Sequence, residues 1–123
     1  MPKTLSVQNK NRTITGPLHI QYCDTFFTQL RGLTFRSHLA RDEGLLLVGK
    51  RDSRIDSSIH MLFVQFDLAV IWIDSAMQVV DKVLAKTWRP AYFSKQPARY
   101  VLEIHAARWG DFEIGDRVEF KDA

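Results

Sequence analysis

Residues 58–74, S-I-H-M-L-F-V-Q-F-D-L-A-V-I-W-I-D, constrain the fold more than any other part of the chain. The closing run, Leu68-Ala69-Val70-Ile71-Trp72-Ile73, is apolar at odd and even positions alike. Side chains alternate faces along a strand, so such a run must be covered on both sides. Its Val, Ile and Trp content favours a strand over a helix. No stretch of roughly 18 apolar residues exists, so no membrane-spanning helix is expected. The run therefore predicts an interior strand with a packed layer on each face. The charged or titratable positions of the segment are His60, Asp67 and Asp74.

The rest of the chain supplies more strands of the same kind. Leu5 and Val7, then Thr13-Ile14-Thr15, read as two short strands around the turn-prone Asn9-Lys10-Asn11. Gly16-Pro17 breaks the chain before an alternating Leu18, Ile20, Tyr22. Asp24 is a plausible N-cap for a short helix over residues 25–31, whose Phe26, Phe27 and Leu30 share one face, with Gly32 as its stop. Asp42-Glu43-Gly44 turns into the apolar Leu45-Leu46-Leu47-Val48, and residues 49–56 read as a charged loop. Residues 78–85 pair back on the core strand. Residues 86–99 carry two prolines and three aromatics without a period, which predicts an ordered loop. Tyr100, Leu102 and Ile104 alternate with Val101, Glu103 and His105. Gly110 and Gly115 bracket a turn before Val118-Glu119-Phe120. The expectation is one mainly-β domain over residues 1–123, a compact antiparallel sandwich or barrel with one short helix.

Composition bounds the partners. The 123 residues carry 17 Lys and Arg against 14 Asp and Glu, for a net charge of +3. That balance permits a polyanionic partner without arguing for one. A single cysteine, Cys23, excludes an intrachain disulfide. No secretory signal is visible in the first residues, so a soluble cytoplasmic protein is the expectation.

Several short motifs occur in a fixed order: Arg31-Gly32-Leu33-Thr34-Phe35-Arg36, then Asp42-Glu43-Gly44-Leu45-Leu46, then residues 59–69 of the core segment, then Thr87-Trp88-Arg89-Pro90, and last Tyr100-Val101-Leu102-Glu103-Ile104 with Gly115-Asp116. In this order they resemble the DUF192 family, small domains of unknown function. The resemblance covers roughly residues 12–120 and implies an all-β sandwich or barrel with a short helix. Aligned without a gap, the acid that most members keep in the core strand falls on Ala69. Asp67 stands where the family usually has Pro, on the same strand face about 7 Å away.

Candidate chemistry is sparse. As general acids or bases the candidates are His60, Asp67 and Glu103. A seven-residue separation puts His60 and Asp67 on opposite faces of a continuous strand. Glu103 projects with Val101 and His105, where a carboxylate needs a partner, either an arginine or the neutral form of a raised-pKa acid. Arg31, Arg36 and Arg89 suit a bidentate grip on a carboxylate or phosphate; the preferred structural alternative has Arg31 or Arg36 bracing the loops through ion pairs to Asp42, Glu43 or Glu103. No cofactor is expected, and no metal: His19, His38, His60 and His105 lack ligand spacing, and only His19 with Cys23 is a close pair. Cys23 reads as packing rather than a nucleophile. No phosphate-binding or nucleophile-elbow motif occurs.

The leading expectation is a non-catalytic module with a cleft framed by Arg31, His60, Trp88, Arg89 and Glu103, binding a small or anionic ligand or a protein partner, as a monomer or weak dimer. A hydrolase- or isomerase-like enzyme using His60, Asp67 or Glu103 is the first alternative. A weak single-stranded nucleic-acid surface is the second. It would use Lys82, Lys86, Arg89, Lys95 and Arg99, with Trp88, Tyr92 and Phe93 stacking bases.

Overall fold

The computed structural model describes residues 3–24, 38–61, 64–89 and 91–123. Seven strands form one curled sheet: β1 (Thr4–Asn9), β2 (His19–Cys23), β3 (Glu43–Ser53), β4 (Leu68–Ile73), β5 (Val79–Ala85), β6 (Ala98–His105) and β7 (Val118–Asp122). Their spatial order is β5-β4-β6-β3-β2-β1-β7. All neighbours are antiparallel except β2 and β3, which run parallel. A parallel pair needs a crossover, and residues 24–42 supply the connecting length. The mainly-β expectation holds, with that one parallel pair inside an otherwise antiparallel sheet. The expected helix over residues 25–31 lies outside the described residues.

The doubly apolar run is β4, buried at every position. It lies between β5 and β6, with Trp72 opposite Asp81 on one side and Val101 on the other. The sheet curls until its edges meet at one end. There Val79 donates its N–H to Asp116 O, Gly115 donates to Val79 O, and Val118 donates to Met77 O. The curl separates two apolar layers. The inner one collects Leu5, Val7, Ile20, Leu46, Val48, Ile71, Ile73, Leu102, Ile104 and Phe112. The outer one collects Cys23, Leu45, Ile59, Met61, Leu68, Val70, Trp72 and Val101. Loops cover this second layer, and the Trp72 indole N–H donates to Ser57 O in one of them at 2.8 Å.

Four local expectations are corrected. Residues 13–15 form no strand; the Thr15 N–H and hydroxyl donate instead to the Asp111 carboxylate. The strand expected at 45–48 runs on to Ser53 through part of the charged loop, with a register irregularity after Val48. Its outer residues are polar because they face water, which the alternation rule tolerates. Gly110, expected to open a turn, lies instead within a 3-10 helix, Ala106–Asp111, capped by His105 Nδ1 accepting from Ala107 N. The closing strand, expected at 118–120, continues to Asp122.

Polar locks hold the ends of the curl. Arg108 and Asp111 form a buried ion pair at 2.9 Å. The same guanidinium donates to the carbonyls of Gly16, Pro17 and Arg41, tying two loops to the 3-10 helix. Asp116 accepts from Asn9 Nδ2, Arg12 and Glu113 N. The Arg12 guanidinium holds the Asp116 carboxyl well below the usual carboxylate range. Gly44 sits where β3 is squeezed, since a Cβ there would lie 2.6 Å from Glu103 O and 2.9 Å from Ile104 Cγ2.

Candidate functional site

Two loops cross the outer layer and zip together. Ile59 and Tyr92 exchange main-chain hydrogen bonds at 2.8 and 3.0 Å. Met61 N donates to Arg89 O at 2.9 Å, and Trp88 N donates to Met61 O at 2.8 Å. Side chains alternate along this short pairing. Ile59 and Met61 turn into the outer core and are buried, so His60 between them points out and is exposed. On the partner segment Trp88 and Arg89 are both exposed. His60, Trp88 and Arg89 therefore come onto neighbouring segments, although 28 residues separate His60 from Trp88 in the chain.

Trp88 is the unusual member. It is 53% exposed, and its backbone is left-handed at φ 63°. A bulky residue seldom adopts that conformation. The neighbourhood holds it there. The Asp67 carboxylate accepts from Thr87 N at 3.0 Å and from Lys86 Nζ at 3.4 Å. The Tyr92 hydroxyl accepts from Lys86 N at 2.8 Å. The Arg89 guanidinium stands 5.6 Å from the Tyr92 ring centroid, a cation–π distance. Asp67 thus braces the Trp88 turn from the start of β4.

Glu103 faces the same outer layer. It sits on β6 between Leu45 of β3 and Val70 of β4, on the outer face. Met61 belongs to the same apolar cluster as Leu45, Val70 and Val101, so the zipped loops and the carboxylate share one layer. Glu103 is 6% exposed, and no hydrogen bond or ion pair joins its carboxylate to another described residue. Burial pushes its carboxyl up to about 7 from an ordinary 4.5. Cys23, on the same face of β2, is also buried, and its thiol is pushed up to about 11, first by burial and then by the charges of Glu103 and Asp24. A thiol held that high stays protonated at neutral pH, which disfavours nucleophilic use.

The candidate acids and base stand apart. No hydrogen bond or ion pair joins any two of His60, Asp67 and Glu103 among the described residues. Asp67 is committed to the Trp88 turn, and His60 faces solvent. Arg31 and Arg36 lie outside the described residues, so their bracing pairs do too. Glu43 accepts locally from Ala40 N. The basic run is dispersed. Lys82 is nearly buried, 4.0 Å from the Trp109 ring centroid and bonded to Glu113. Arg99 donates to Gly49 O and packs on Tyr100. Lys86, Arg89 and Lys95 remain exposed. Sequence reading missed the roles of Asp67 and Tyr92 in holding Trp88, because both depend on contacts between distant segments. The Pro after Arg89 was the only local sign of a constrained backbone there.

These features define a small mainly-β domain with a curled seven-stranded sheet and a loop-covered outer face. The chain belongs to the DUF192 family (uncharacterized ACR), whose sequence profile matches residues 7–120. It is 38% identical over 115 residues to a UPF0127 protein of Thermococcus gammatolerans, an alignment spanning 92% of this chain and 72% of that one. A UPF0127 protein of Thermococcus kodakarensis is 35% identical over 103 residues, covering 82% of this chain and 64% of the relative, so the chain spans under two thirds of that relative's length. A crystal structure from Sinorhizobium meliloti, of a protein described as a candidate transcription regulator, superposes with a TM-score of 0.82 at 19% identity, over 98% of this chain and 94% of that one. That likeness is one of fold. Among the described residues, no helix is long and apolar enough to cross a membrane.

Proposed function

We propose that this chain is a binding module without chemistry of its own, which takes a small anionic ligand at the zipped loops of the outer face. The ring of Trp88 provides a flat apolar wall, and Arg89 and Lys86 provide positive charge beside it. His60 adds a donor at the rim. Glu103, neutral for part of the physiological pH range, supplies a hydrogen-bond donor beneath. Arg31, which lies outside the described residues, is proposed as a further ligand contact on the ground of its family-like motif alone.

One observation carries this reading: an exposed tryptophan held at positive φ. Such a conformation costs on the order of 1–3 kcal/mol and persists where the surroundings over-determine it. Here Asp67, Tyr92 and Met61 all bond to the turn. A pre-set aromatic–cation pair binds with less ordering cost than a loose one. The separation of His60, Asp67 and Glu103 favours binding over acid–base catalysis, which needs groups within hydrogen-bond reach.

The test is a thermal-shift and tryptophan-fluorescence screen against phosphate, sulfate, carboxylates and sugar phosphates. Trp88→Ala and Arg89→Ala should each weaken the best binder by about tenfold or more, with the melting temperature of the free protein unchanged. Absence of any binder across the panel, or full binding by both variants, would sink the proposal.

A further inference from the structure

Among the described residues, three of the four large hydrophobic side chains that stand exposed, Ile55, Trp88 and Phe93, fall on the two zipped loops. Bonds between the loops fix their arrangement as a ribbon. Arg54 Nε donates to Ser94 O at 3.0 Å at one end, Ile59 pairs with Tyr92 in the middle, and Met61 bonds to Arg89 and Trp88 at the other. Ile59, Met61 and Ser94 are buried, and Tyr92 packs against the outer core. Phe93 lies between two inward residues, as His60 does, so both turn away from the sheet. Ile55 starts the turn that leads into the ribbon, where Ser58 N donates to its carbonyl at 3.1 Å. The apolar tips therefore stand on a ribbon whose inner side is already packed.

The positive charge of the chain collects on the same loops. Residues 50–61 and 86–95 carry six Lys and Arg against two Asp, whereas the whole chain is only +3, so the remainder is slightly acidic. Both loop acids are engaged: Asp56 stands 3.8 Å from Arg51, and Asp52 accepts from Ser75 N and Oγ. Lys50, Arg54, Arg89 and Lys95 are exposed and form no ion pair among the described residues.

We propose that this ribbon is a membrane-docking surface, by which the domain rests on an anionic phospholipid bilayer with Ile55, Phe93 and Trp88 inserted among the headgroups. Exposed apolar side chains rimmed by charge mark a contact surface. The chemistry favours a lipid. Tryptophan suits the membrane–water interface, where one part of the ring is dry and its N–H is wet. Cations near the surface add to binding through the negative potential of anionic lipids. Isoleucine has no ring to stack on a base, which disfavours a nucleic acid as the partner. A folded protein partner needs a matching shape, whereas separate apolar tips among cations need only a fluid anionic surface. The surface includes Trp88 and Arg89 but rests also on Ile55, Phe93 and Lys95, none of which the proposed anion site uses.

Cosedimentation with vesicles tests this, using phosphatidylcholine alone and phosphatidylcholine with about 30 mol% phosphatidylserine. The wild type should bind the anionic vesicles and not the neutral ones, and binding should fall as salt rises from about 0.05 to 0.5 M. The double variant I55S/F93S should weaken binding by about tenfold or more, and Lys95→Glu should do the same by reversing one charge. These side chains are exposed, so the melting temperature in solution should stay at the wild-type value. Tryptophan emission should shift to the blue on anionic vesicles, and Trp88→Phe should abolish that shift. A soluble phosphate that binds wild type and I55S/F93S alike leaves the anion site standing, whatever the vesicles show. Absence of wild-type binding to anionic vesicles overturns the docking surface and assigns the patch to a protein partner. Equal vesicle binding by I55S/F93S, or equal binding to neutral vesicles, overturns it too.

Discussion

Glu103→Gln should change how stability depends on pH. The buried carboxyl of Glu103 has a pKa of about 7 against an ordinary 4.5, so the folded state holds its proton more tightly than the unfolded state. The stability contributed by that proton is fully present below 4.5. It is lost as pH rises through about 7 and is constant above. Each pH unit between the two values is worth about 1.4 kcal/mol, so the ionised carboxylate costs the fold about 3 kcal/mol at pH 8 relative to pH 4. Glutamine cannot ionise. Its amide carries a desolvation cost of about 1–3 kcal/mol if unpaired, but that cost is the same at every pH. The quantity to measure is therefore the difference in unfolding free energy between E103Q and wild type, from urea melts in steps from about pH 4 to pH 8. Other titrating groups cancel in that difference. It should move in favour of E103Q by about 3 kcal/mol across the range, with most of the change below pH 7. A difference that is flat with pH would refute the assignment of an ionisable carboxyl, with no partner among the described residues, to the outer layer.

Three further outcomes follow from packing and the buried pair. Trp72→Ala removes a fully buried ring and its bond to Ser57 O, and should cost about 3–5 kcal/mol in a urea melt; a near-normal midpoint would contradict its place in the outer core. Gly44→Ala drives a Cβ against the Glu103 carbonyl and should cost roughly 1–3 kcal/mol, which differential scanning calorimetry would register as a lower melting temperature. Arg108→Ala leaves the buried Asp111 carboxylate without its counter-ion and frees three loop carbonyls; a loss of about 3–5 kcal/mol is expected, and retention of wild-type stability would show that the loops hold without it.

The strand half of the molecule was legible because its signal is local. An apolar run with no free face leaves β4 few options, and the alternation from Tyr100 to His105 set the two faces of β6. The parallel pairing of β2 and β3 was not legible, since it depends on where a crossover places the chain. Residues 13–15 alternate like a strand, yet the Asp111 carboxylate offers Thr15 better partners than a neighbouring strand. Arg108 read as one charge among many, and only the meeting of two loops at its 3-10 helix makes it a lock. The candidate site was half legible. Trp88, Arg89 and His60 stood out as residue types in family-like motifs, but neither the positive φ of Trp88 nor the pairing of residues 59–61 with 88–92 has a local signature.

The segment from Ser58 to Asp74 divides its work at Asp67. Before it, Ile59 and Met61 anchor a loop that pairs with the Trp88 turn. After it, six residues make the interior strand β4. By the resemblance drawn from the sequence, the family's strand acid would fall on Ala69, and that position is fully buried, opposite Leu84 on β5 and Ile104 on β6. A carboxylate there would face the apolar inner layer and would need a partner to offset its burial. Alanine avoids that cost. Asp67 does not take over the position. It stops short of the strand, half-buried at the rim, and spends its oxygens on Thr87 N and Lys86 Nζ. A proline at 67 could accept neither bond through its side chain, so the aspartate is what lets this chain brace Trp88 from below. The acid of the core segment serves the loops on the outer face, not the interior.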